Sequence, residues 1–76
     1  MINLSGIKTA ANRKGWELLA IAEGAGGSHI ALNYIEDKNE WCTHIALNGP
    51  NGGHFESGTY HRTEESARKT FARRIG

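Results

Sequence analysis

SHIALNYIEDKNEWCTHIALN, residues 28–48, carries the pentad His-Ile-Ala-Leu-Asn twice, at 29–33 and again at 44–48. A fifteen-residue period is too short for a strand-plus-helix repeat unit. The pentad is instead its own cross-strand complement. Two antiparallel strands around a tight turn at Lys38-Asn39 pair residues whose numbers sum to 77. His29 then faces Asn48, Ile30 faces Leu47, Ala31 faces Ala46, Leu32 faces Ile45 and Asn33 faces His44. Strand alternation puts Ile30, Leu32 and Tyr34 on one face with Thr43, Ile45 and Leu47. The other face carries His29, Ala31, Asn33, His44 and Ala46, and the sequence predicts it flat, small, polar and open. A one-residue slip would mix the two sets, so the pentads act as a register device.

The flanking segments follow from this hairpin. Trp16–Glu23 reads as a strand, joined to Ser28–Ile35 by the glycine turn Gly24–Gly27. Such a four-residue loop places Leu19 and Ile21 on the Ile30/Leu32 face, with Phe55 joining them. Trp41–Leu47 is the third strand, and NGPNGG (48–53) the richest turn signal, before a fourth strand His54–Tyr60. SGIKTAANRKG (5–15) predicts a short helix with Ser5 as N-cap and Gly15 as its stop. Thr63 caps a second helix, Glu64–Arg74, with glutamates in its first turn and arginines in its last, as the helix dipole favours. Ala67, Phe71 and Ile75 make its apolar stripe. The expected object is one α+β domain, residues 1–76. It is an antiparallel three- to four-stranded meander sheet with a C-terminal helix and a short N-terminal helix on one face.

Composition narrows the function classes. With 76 residues there is room for one small core. The single cysteine, Cys42, forms no internal disulfide and suits a reducing cytoplasm. No apolar run approaches the ~20 residues of a membrane span. The net charge of +1 is low for a polyanion binder. It is unevenly spread: Lys8, Arg13 and Lys14 near one end, Arg62, Arg68, Lys69, Arg73 and Arg74 near the other, and Glu36, Asp37 and Glu40 in the middle. With both helices side by side, Lys8, Arg13, Lys14, Arg68, Lys69, Arg73 and Arg74 would form one positive patch opposite the flat face.

Four histidines and Cys42 raise the question of a metal site, but the tight paired spacing of zinc ligands is missing. No metal or cofactor is expected. Cys42 and His44 share a strand face, yet no acylation motif or third orienting group accompanies them. The glycine-rich turns match no phosphate loop.

Two resemblances add to this reading. Residues 40–74 resemble small phage- and mobile-element-encoded proteins. In these, a Glu-Trp strand leads through a glycine-rich turn to an aromatic, Gly-x-Tyr and a helix with Glu-Glu-x-Ala-x-x-x-Phe-x-x-Arg. Here those positions are Glu40-Trp41, Phe55, Gly58, Tyr60, Glu64-Glu65, Ala67, Phe71 and Arg74. The resemblance implies an anti-CRISPR-like inhibitor acting on a host protein. The first half, with Gly15-Trp16, a strand and Gly27-Ser28-His29, is similar to the HicA family of mRNA interferases, of αβββα fold. That similarity implies His29 as an acid/base residue, although the family's later Pro-x-His segment is absent here.

The expectation is a non-enzymatic binding module with no catalytic residue, the alternative being a HicA-like RNA-binding or RNA-cleaving domain using His29. The expected partner is a host protein, with a component of a nucleic-acid-targeting complex as one candidate and nucleic acid, met through the basic helices, as another. No membrane is expected, and the module is a monomer or homodimer. His29, Asn33, His44, Arg68, Lys69, Arg73 and Arg74 are the candidate partner-binding residues.

Overall fold

A computed structural model describes residues 2–49 and 52–76. The element order is α1 (Leu4–Arg13), β1 (Trp16–Glu23), β2 (His29–Ile35), β3 (Glu40–Gly49), β4 (Gly52–His61) and α2 (Glu64–Ile75). The four strands form one antiparallel sheet in sequence order, the meander the sequence predicts. Pro50 and Asn51 of the expected turn lie outside the described residues. No helix among the described residues is long and apolar enough to cross a membrane.

Both helix ends follow capping chemistry. Thr63 caps α2 by accepting from the Ser66 N–H at 3.2 Å, as expected. For α1 the cap is Asn3, not Ser5: the Asn3 side chain accepts from the Gly6 N–H at 3.1 Å. The Asn3 N–H in turn donates to Asn48 Oδ1 at 2.7 Å, which fixes the helix start against β3. Gly15 ends the helix with φ 76°, the left-handed conformation that a Cβ would strain.

The pentads do pair, but two positions away from the expected register. Partner numbers sum to 75: His29 pairs with Ala46, Ile30 with Ile45, Ala31 with His44, Asn33 with Cys42 and Tyr34 with Trp41. The connection is four residues, a 3-10 turn Glu36–Lys38 closed by Asn39 alone in the left-handed region at φ 52°. A two-residue turn would need positive φ at Lys38 as well, which a lysine resists. The wider loop also sets Tyr34 against Trp41, ring centroids 5.1 Å apart, and lets the Tyr34 hydroxyl donate to Asn39 Oδ1 at 2.8 Å. A shift of two preserves strand parity, so the two faces hold the expected sets.

Which helix covers which face follows from side-chain size. The Ala31/Ala46 face receives α1. Ile7 is fully buried there with Ala31 and Ala46, and Ile2, Leu18, Ile21 and Phe55 pack around them. A Cβ on Gly53 would collide with Ile7, so the helix needs glycine at that point of β4. The opposite face receives α2, whose Arg74 reaches Thr43 and whose Ser66 hydroxyl meets His61 Nδ1 at 2.9 Å. The helices therefore sandwich the sheet, one on each face.

Two further placements differ from expectation. Ile21 and Phe55 lie on the α1 face, not with Ile30 and Leu32. For Ile21 the cause is a β-bulge: Leu18 pairs with Asn33 and Ala20 with Leu32, leaving Leu19 as an extra residue that inverts the alternation, whereas Phe55 takes its face from its pairing with Ala46. In α2 the buried positions are Ala67 and Thr70, while Phe71 and Ile75 are half-buried.

Candidate functional site

The flat face expected to be open is the floor beneath α1. Asn33 is fully buried and His44 only 5% exposed, so neither can meet a partner directly. His44 is held by rings on three sides: Trp16 stacked at 5.4 Å, Phe55 at 5.6 Å and Tyr60 edge-on at 5.5 Å. Its Nε2 shares a 3.2 Å hydrogen bond with the Tyr60 hydroxyl. A second bulge makes room for it. Thr43 pairs with Thr59 and Ile45 with Glu56, so Ser57 and Gly58 together oppose His44. A Cβ on Gly58 would intrude on the imidazole, which accounts for the glycine.

Arg74 repairs the ladder that this bulge interrupts. It donates to the Thr43 carbonyl at 3.2 Å, to Thr43 Oγ1 at 2.9 Å and to the Ser57 carbonyl at 3.0 Å. Its role is structural: a partner cannot take it without freeing two backbone acceptors.

Both titratable groups under α1 are kept neutral. Burial pushes the Cys42 thiol from 9.0 up to about 11, outweighing a backbone hydrogen bond at Asn33 and the charge of Lys14. Burial first, then the positive charges of Arg74 and Lys14, hold His44 below its ordinary 6.5. A protonated thiol and a neutral, enclosed imidazole do not make a thiolate–imidazolium nucleophile at neutral pH. Asn33 Oδ1 and Nδ2 and His44 Nδ1 are buried without a hydrogen-bond partner among the described residues. No group of three or more His, Cys, Asp or Glu among those residues is placed to hold a metal ion.

These shifts give the protein a pH window. As pH falls through 6.5 the unfolded chain protonates His44 while the folded chain does not, so stability is whole above 6.5 and lost below it. As pH rises from 9.0 the unfolded chain ionises Cys42 while the folded chain holds its proton to about 11, so stability falls over that range. The melting temperature is expected to be highest between about pH 6.5 and 9, with Cys42→Ala flattening the alkaline limb. A melting temperature that rises below about pH 6 contradicts the enclosed neutral imidazole.

The remaining candidates are scattered. His29 is half-buried at the rim of an open depression of about 370 Å³ lined by Ile2, Glu23, Ser28 and Leu47 among others, and it pairs across the strands with Glu23. Arg68 is paired with Glu64 at 2.7 Å and Arg73 donates to Thr70 Oγ1 at 3.1 Å; Lys69 is exposed. Lys14 lies over the Trp16 ring at 5.2 Å, on the α1 side. Because α1 and α2 take opposite faces, the basic residues form two separate groups, not the single patch expected.

The α2 face holds a recess that the sequence reading missed. Glu17, Leu19, Tyr34, Trp41 and Glu64 line a hollow of about 220 Å³ beside the start of α2. A cross-strand aromatic pair at a hairpin end is a stabilising contact, and matching Tyr34 to Trp41 would have revealed both the register and this wall. Compared with known protein families, with curated proteins and with solved structures, the chain matches none.

Proposed function

We propose that this domain is a non-enzymatic binding module that inhibits or redirects a host protein in the cytoplasm, as the anti-CRISPR-like resemblance of residues 40–74 implies. The supporting observation is the sealing of Cys42, Asn33 and His44 beneath α1. The side chains with most chemistry serve the core, and the surface offers recognition features: separated charges and an aromatic recess. The two basic groups lie on opposite faces, an arrangement that suits a continuous phosphate track poorly. A salt titration against RNA and duplex DNA tests this. Affinity is expected to be weaker than about 10⁻⁶ M at physiological salt. Tighter binding that falls steeply with salt and is lost in Lys69→Glu with Arg73→Glu would overturn the protein-partner reading.

The HicA-like alternative draws on one observation, the placement of His29 at an open rim opposite Glu23. Expression in a bacterial host is expected to leave growth unaffected. Growth arrest abolished by His29→Ala would favour the ribonuclease.

A further inference from the structure

We infer that the recess on the α2 face receives an arginine side chain from a protein partner; this deepens the binding-module reading and rests on it. Glu17, Tyr34 and Trp41 are neighbours across three strands, Glu17 pairing with Tyr34 and Tyr34 with Trp41. The two rings meet at 42°, an open angle, not a closed stack, and the Tyr34 hydroxyl is pinned by Asn39. Leu19 is delivered to the same hollow by the β1 bulge, and Glu64 stands at the rim as the first residue of α2. The walls are thus aromatic and aliphatic while the polar groups are carboxylates. Glu64 is shared with Arg68, but Glu17 has no ion pair among the described residues.

Charge around the recess is mostly negative, with Lys38 in the turn and Arg68 on Glu64 as the cations beside it. The turn linking Tyr34 to Trp41 carries Glu36, Asp37 and Glu40 against Lys38 alone, and Glu65 follows Glu64 on α2. The chain's net charge is +1, so this end is acidic against the overall balance. An aromatic face beside a carboxylate attracts a cation through the ring quadrupole and the charge together. The protein uses the first of these itself on the opposite face, where Lys14 covers Trp16. Arginine suits the recess better than lysine. Its planar guanidinium lies flat on an indole, forks onto a carboxylate and sheds water readily, whereas an ammonium in an open hollow keeps its hydration. A hollow of about 220 Å³ holds one such side chain, and the surrounding acids would engage basic neighbours on the partner.

The probe is a capped peptide of alternating glycine and arginine, with its glycine–lysine counterpart, titrated into the isotopically labelled protein. The expected shifts centre on the Trp41 indole N–H and on Tyr34. The arginine peptide is expected to bind about tenfold tighter than the lysine peptide, and Glu17→Gln, at an exposed position, to remove most of that preference without moving the melting temperature. Equal affinities, shifts confined elsewhere, indifference to Glu17→Gln, or no binding at millimolar peptide would each overturn the assignment. The two readings fail separately: a silent peptide defeats the recess alone, whereas tight, salt-sensitive RNA or DNA binding defeats the protein-partner reading.

Discussion

Ile7→Ala is expected to cost about 2–5 kcal/mol, enough to leave the domain largely unfolded at 37 °C. Ile7 has no exposed surface and sits where α1 meets Ala31, Ala46 and Gly53. Ala31, Ala46 and Gly53 directly beneath it are too small to fill the void. Leu4→Ala on the same helix is the control: Leu4 is 47% exposed, and its truncation is expected to stay within about 0.5 kcal/mol. Thermal or urea unfolding of the two variants checks this. If Ile7→Ala melts within a degree or two of the parent, α1 does not seal the sheet.

Arg74→Met is the second large effect. The side chain makes three hydrogen bonds across the β3–β4 bulge, two to backbone carbonyls and one to the buried Thr43 hydroxyl. Removing the donor takes three hydrogen bonds from a charged group at the bulge, and about 2–3 kcal/mol is expected to be lost. Arg73→Met, one residue away and solvent-facing, is expected to change stability by less than about 0.5 kcal/mol. Urea midpoints for the pair decide the matter. Equal effects would mean that the Arg74 contacts carry no net stability.

These two arginines illustrate what the sequence could and could not express. Strand alternation, caps and glycine stops are local signals. The meander, the α2 cap at Thr63 and the stop at Gly15 are accordingly legible from the residues. The bulges are not: Leu19 and Ser57 look like any strand residues, yet each inserts one position, and the first of them moves Ile21 to the other face. The hairpin register depends on whether the loop holds two or four residues. The repeated pentad fits both registers, and the Tyr34–Trp41 pair with its Asn39 clasp decides between them.

The small-residue face shows the same limit for function. His29, Ala31, Asn33, His44 and Ala46 describe a surface that another backbone can approach closely. That backbone proves to be the chain's own α1, which a pattern of small residues cannot distinguish from a foreign partner. Of the expected binding residues, Asn33 and His44 are buried on this face, His44 among the rings of Trp16, Phe55 and Tyr60, and Arg74 is taken by the bulge. The aromatic recess escaped notice because its members come from β1, β2, β3 and α2 and converge only in the observed register.

The contact between α1 and the sheet therefore decides which surfaces remain for a partner, and a nuclear Overhauser experiment on methyl-labelled protein tests it most directly. The Ile7 methyls are expected to show cross-peaks to the methyls of Ala31 and Ala46 and to the α-protons of Gly53, with none to Leu32 on the α2 face. Cross-peaks from Ile7 to Leu32 or Ile45, with Ala31 and Ala46 accessible to solvent, would place both helices on one face and return the His/Ala/Asn surface to the partner.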